Sequence, residues 1–90
     1  MSNENRRSDN DLEIIIHTPR GEWKIAFPKT TKVQEVINAV VEHFGFSKEG
    51  KYQLHLKNKP DEPLEPQRPL VSYGIKDGDI LVFTDLGVAV

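Results

Sequence analysis

Leu70-Val71-Ser72-Tyr73-Gly74-Ile75-Lys76-Asp77-Gly78-Asp79-Ile80-Leu81-Val82-Phe83 is the stretch on which the reading of the fold turns. Its first half places Leu70, Tyr73 and Ile75 in a compact turn. Asp77-Gly78 then makes a tight polar turn, and Leu81 and Phe83 fall on one side of a strand. Glycine tolerates positive φ, aspartate closes local hydrogen bonds, and two-residue alternation marks the strand. A strand that closes a small domain has to dock against elements formed earlier, so the rest of the chain must supply its neighbours.

Immediately upstream, Pro60, Pro63, Pro66 and Pro69 exclude a helix or a central strand and leave a loop pinned by Leu64. Before that loop, Tyr52-Gln53-Leu54-His55-Leu56-Lys57 alternates, with Leu54 and Leu56 inward. Further back the period changes. Val33, Val36, Ile37, Val40, Val41 and Phe44 recur at helical spacing, although most are β-branched and individually favour strands. Thr31-Lys32-Val33-Gln34 reads as a capping box at the start of this helix, and Gly45 as its left-handed cap. Leu12, Ile14 and Ile16 share one face of a strand, with Glu13, Ile15 and His17 on the other. Thr18-Pro19-Arg20-Gly21 forms a turn, and Trp23, Ile25 and Phe27 resume the alternation until Pro28 ends it, which makes a β-hairpin. The economical way to bury these faces together is one helix across one face of a mixed sheet, an α+β layout.

Composition bounds the function. The 90 residues contain 37% hydrophobic and 29% charged side chains, a net charge of −2 and no cysteine. These values describe a single small soluble domain, with no electrostatic case for nucleic acid and no thiolate chemistry. No apolar run reaches the roughly 20 residues of a membrane span, and the first residues lack the apolar core of a secretory signal, so a cytoplasmic monomer is expected. Residues 1–11, including Arg6 and Arg7, are too polar to bury and are expected to be a flexible tail.

An active site is not assembled by this sequence. His17, His43 and His55 fall on separate surfaces, with His43 on the polar side of the helix, and no serine or threonine can be grouped with one of them and a carboxylate. Asp77, Asp79 and Asp85 read as turn chemistry in preference to a metal site. The expectation is a non-enzyme with no cofactor and no metal. Trp23 is read as core or edge packing with its indole N–H at the rim.

From residue 12 to residue 83 the chain resembles ubiquitin and the β-grasp ubiquitin-like family. Leu12-Glu13-Ile14-Ile15-Ile16-His17-Thr18 stands where the family has its first strand, and Val33, Val36 and Val40 stand at its buried helix positions. Leu54 and Leu56 match the third strand, Leu64-Glu65 a short fourth strand, and Leu70-Val71-Ser72-Tyr73-Gly74-Ile75 the segment before the last strand. The resemblance implies a mixed sheet of four to five strands with one helix packed across one face, the last strand lying between the first and the third. It divides the chain into a tail at residues 1–11, a ubiquitin-like domain at 12–84 and a C-terminal tail at 85–90.

The face turned away from the helix is the expected partner-binding surface: Ile15, His17, Pro19, His55, Lys57, Val82 and Thr84. Compared with ubiquitin's recognition patch, His55 and Val82 have exchanged residue types and Thr84 replaces an aliphatic residue, so ordinary ubiquitin receptors are expected to bind poorly. Conjugated relatives end in Gly-Gly, whereas here Leu86-Gly87-Val88-Ala89-Val90 follows. The leading expectation is therefore a non-catalytic protein-protein interaction module, similar to small bacterial ubiquitin-like proteins. One alternative is a protein modifier or carrier processed near Gly87, and another is a regulatory subunit of an enzyme complex. Lys59 matches a linkage lysine of ubiquitin but reads as a solvated surface lysine. The proline-stiffened loop at 57–68 is a second candidate contact surface.

Overall fold

Alternation and helical periodicity both survive into three dimensions. The computed structural model describes residues 10–88, with the backbone alone for Val88. In chain order it comprises β1 (Asp11–Thr18), β2 (Gly21–Pro28), α1 (Val33–Phe44), β3 (Gly50–Leu56), a 3-10 turn (Leu70–Tyr73) and β4 (Ile80–Val88). The four strands form one mixed sheet in the order β2-β1-β4-β3. β1 pairs antiparallel with β2 through a two-residue turn, Thr18 facing Gly21. Strand β4 lies parallel to β1 and antiparallel to β3, which is the mid-sheet position expected for it.

The core is the space between sheet and helix. Leu12, Ile14 and Ile16 of β1, Leu54 of β3 and Leu81 and Phe83 of β4 meet Val33, Val36, Ile37, Val40 and Val41 of α1, all buried. Each fully buried aliphatic or phenyl side chain contributes about 1.5–3 kcal/mol. That collective gain is why the valines of α1 accept a helix against their local preference. Leu70, Ile75 and Leu64 complete the core from the connecting segments.

Backbone hydrogen bonds fasten the 70–83 stretch to both layers. Leu70 N–H donates to Thr31 O at 2.9 Å and Val71 N–H to Lys29 O at 3.1 Å, next to the start of α1. On the sheet side, Gly78 N–H donates to Glu13 O at 2.7 Å and Ile15 N–H to Asp79 O at 3.0 Å. The Asp77 carboxylate accepts from Glu13 N–H at 2.8 Å. The tight polar turn is thus a clasp on β1.

Three local features differ from expectation. Helix α1 is capped at Lys32, and the side chain that reaches back is Glu35, whose Oε1 accepts from Lys32 N–H at 3.2 Å. Thr31 and Gln34 do not form the expected box, and a lysine side chain has no acceptor to complete one. Val33 N–H instead donates to Arg68 O at 3.0 Å and Gln34 N–H to Pro66 O at 2.9 Å, so the proline-rich loop satisfies the helix start. The short strand expected at Leu64-Glu65 is also missing among the described residues. A single bond, Leu64 N–H to Leu54 O at 2.8 Å, stands in its place, because Pro63 and Pro66 have no N–H to extend a ladder.

The third difference lies in β4, which continues past residue 84. Tyr52 pairs with Asp85 and Gly50 with Val88, leaving Lys51 opposite both Leu86 and Gly87. This is a β-bulge, and Gly87 with φ of 92° supplies the left-handed residue it requires. Gly87 N–H donates to the Asp85 carboxylate at 2.8 Å, which occupies a donor in the part of β4 that extends past β1. Residues 85–88 of the expected C-terminal tail are therefore strand, and Asp11 of the expected N-terminal tail already belongs to β1. The rest of the two tails, including Arg6, Arg7, Ala89 and Val90, lies outside the described residues.

Candidate functional site

Strand pairing assembles the outer face row by row. Side chains with the parity of Ile15 point away from α1, and neighbouring strands keep that parity in register. One row runs Glu22, His17, Val82, His55 across β2, β1, β4 and β3, since His17 faces Glu22 on one side and Val82 on the other, and Val82 faces His55. The adjacent row runs Lys24, Ile15, Ile80, and Lys57 joins it through its N–H to Ile80 O at 3.0 Å. Thr84 sits one row further along β4, opposite Gln53.

Ile15, His17, His55, Val82 and Thr84 therefore lie together, and all are half-buried. Lys57 stands exposed at one end, just past β3. Pro19 lies in the β1-β2 turn, exposed and beyond the pairing of His17 with Val82, at the rim. Ile80 was not among the expected residues, yet it joins Ile15 and Val82 into the apolar centre. Alternation backward from Thr84 and Val82 is the signal that points to it. Glu22 is a second addition: its Oε2 lies 2.9 Å from His17 Nε2, with side-chain exposures of 68% for Glu22 and 34% for His17, so the pair is open to solvent on the Glu22 side. Such a pair orients the imidazole while adding little stability.

Other side chains singled out in the sequence are occupied structurally. Trp23 is half-buried and stacks on His43, ring centroids 3.9 Å apart and planes at 4°, at the α1-β2 side of the molecule. His43 is thus on a different layer from His17 and His55. Asp79 Oδ2 accepts from Lys76 N–H at 2.9 Å, so Asp77, Asp79 and Asp85 each hold a backbone N–H. In the proline-rich loop, Glu65 N–H donates to the Tyr73 hydroxyl at 2.7 Å and the Arg68 guanidinium lies 4.8 Å above the Tyr73 ring. Lys59 is exposed, and its N–H closes a turn onto Leu56 O at 2.9 Å. Among the described residues no helix is long and apolar enough to cross a membrane.

One helix over a four-stranded mixed sheet, the closing strand parallel to the first at its centre, defines a ubiquitin-like β-grasp protein. The sequence of residues 12–83 matches the model of the WXG100 protein secretion system protein YukD, and the chain belongs to that family. Solved structures agree on the fold. A de novo protein designed on the basis of ubiquitin superposes with a TM-score of 0.74 at 22% identity, covering 91% of this chain and 96% of its own. The ubiquitin-like domain of an Arabidopsis thaliana protein gives a TM-score of 0.73 at 13% identity, over 98% of this chain and 90% of that one. A third chain, from work on molecular mimicry of SUMO in DNA repair, gives 0.73 at 13% identity over 90% and 99%. No curated protein matches the sequence as a relative.

Proposed function

We propose that the chain is a non-catalytic interaction module of a WXG100 secretion system that holds a protein partner on the outer face of its sheet. The observation that carries this reading is the continuity of Ile15, Ile80 and Val82 across β1 and β4, bracketed by His17 and His55. A small apolar centre inside a polar rim is the composition of a protein contact surface. The centre provides the desolvation, while Lys57, Thr84, Glu22 and Lys24 around it set orientation.

The bulge supports this reading over that of a modifier processed near Gly87. The glycine has a structural reason for being there, its φ of 92°, and its N–H is engaged by Asp85. Extended recognition of a reactive terminus needs free backbone, whereas here the backbone up to Val88 pairs with β3.

The test compares a tagged chain with the double variant Ile15→Thr, Val82→Thr, purified from the native host. Threonine keeps the β-branched shape but removes apolar area, so the strands persist and the partner's affinity falls by about 10- to 30-fold. The expected result is a secretion-system component retained by the native chain and lost by a variant whose melting curve stays cooperative. Undiminished retention by the variant refutes the proposal. Intact mass of the purified chain reads the modifier alternative separately, since covalent adducts would appear there.

A further inference from the structure

A groove of about 720 Å³ runs between α1 and the first half of β3, on the helix side of the sheet and away from the outer face. Its floor includes Ile37 and Val41, which project from one stripe of α1 and are 6% and 8% exposed. Tyr52 lines it from β3, and Leu86 lines it from the bulge of β4. Leu86 is 56% exposed, a large apolar side chain left in water beside an apolar floor. Strict alternation from Val82 and Thr84 would have sent Leu86 to the outer face, and the bulge breaks that alternation.

Two further features say what fits there. First, β3 is an outermost strand of the sheet. Lys57 N–H bonds to β4 through Ile80 O, so residues of opposite parity turn their backbone groups to the free edge. Leu54 O and Leu56 O on that edge accept from Leu64 and Lys59, which leaves the N–H and C=O of Tyr52 on the open part, beside the groove. Second, Lys48 and Lys51 line the groove. Among the described residues neither has an ion-pair partner. Glu42 is the one carboxylate among the lining residues, so the groove carries a surplus of positive charge.

We infer that this groove is a second docking site, which takes an extended segment of a partner protein laid along the free edge of β3, with aliphatic side chains on the floor and carboxylates against Lys48 and Lys51. Main-chain pairing to Tyr52 favours an extended segment over a helix. Alternate side chains then meet the floor while the others stay near the lysines. The Leu64 bond to Leu54 already occupies the next position on the same edge, so the segment ends where the proline-rich loop begins.

The probe is a short synthetic peptide of alternating valine and aspartate, titrated into the isotope-labelled full chain and followed by amide chemical shifts. A sister peptide of alternating valine and lysine is the charge control. Shifts are expected at Ile37, Val41, Lys48, Lys51, Tyr52 and Leu86 with the acidic peptide and not with the basic one. Lys48→Glu with Lys51→Glu weakens binding at least about tenfold, since two favourable charge pairs become repulsive. Leu86→Asp weakens it comparably, and circular dichroism melts show both variants folded, these positions being exposed. Four results overturn the inference: no shifts in large peptide excess, equal binding of the basic peptide, shifts confined to the outer face, or groove shifts that follow protein concentration without peptide. The last would make a second copy the occupant. The shifts expected at the groove involve no outer-face residue, and the Ile15→Thr, Val82→Thr variant leaves the groove lining untouched, so this inference and the proposed function fail separately.

Discussion

Leu70→Ala, with Val71→Ala as its control, tests whether residues 70–83 hold the two layers together. The two positions are neighbours in one 3-10 turn, yet Leu70 has no exposed surface while Val71 is 49% exposed. The backbone of Leu70 keeps its bond to Thr31 O in either variant, so the difference measures side-chain packing. Removing a leucine side chain from a closed core costs about 2.7–5 kcal/mol, the higher figure where the neighbours cannot collapse into the space. Leu70 belongs to a cluster with α1 and the central strands, which are tied by helix and sheet hydrogen bonds, so the upper half of that range is expected. At roughly 0.05–0.15 kcal/mol per residue a chain of 90 residues has about 5–13 kcal/mol in total. The variant therefore loses a large share of its stability, with a fall in Tm of about 15–40 °C. Val71→Ala should stay within about 0.5 kcal/mol. Urea unfolding followed by the single tryptophan, Trp23, gives both midpoints, and unchanged slopes confirm that stability alone has moved. A loss under about 1 kcal/mol for Leu70→Ala, or equal losses at both positions, refutes the claim that this stretch is core-forming.

Two further perturbations probe the joints around that core. Asp77→Ala removes the carboxylate that accepts from Glu13 N–H; about 1 kcal/mol is expected to be lost, with faster hydrogen exchange at the Glu13 amide and partial recovery in Asp77→Asn. Gly45→Ala puts a Cβ on a residue with φ of 73°, where its nearest new neighbour is the Arg20 guanidinium at 4.0 Å. The penalty is therefore conformational, about 1 kcal/mol and about 4–8 °C in Tm, and a melt unchanged within error would show that α1 ends some other way.

The parts of this molecule that were readable in the sequence are those in which one face of one element is buried. Leu12, Ile14 and Ile16 announce β1 by alternation, and the valines of α1 announce a helix because the period of six positions outweighs six separate propensities. Lys32 is a different case. Nothing in its own type makes it a cap, and α1 begins there because Arg68 and Pro66, far along the chain, offer carbonyls to Val33 and Gln34. The bulge is likewise nonlocal. Gly87 looked like a residue of a tail, since only the pairing of Gly50 with Val88 shows that the strand has not ended. On the outer face, His17, Val82 and His55 were legible from parity. Ile80 is the first residue of β4, and its place on that face rests on its pairing with Ile15 of β1, far away in the chain.

The same hydrogen bonds set different costs for the two surfaces the sequence offers a partner. Prolines stiffen the 57–68 loop, and a stiff loop loses less entropy on binding. In this molecule, however, the stiffness serves the fold. Leu64 is buried, Pro66 and Arg68 cap α1 through their carbonyls, and Glu65 and Arg68 are both engaged with Tyr73. A partner that gripped those groups would compete with the start of the only described helix. The outer face carries no such obligation, since its backbone groups are bonded within the sheet and its side chains contribute little to the core. Ile15, Ile80 and Val82 can accept a partner without any internal contact being broken, which makes the sheet face, and not the loop, the surface on which recognition costs the fold least.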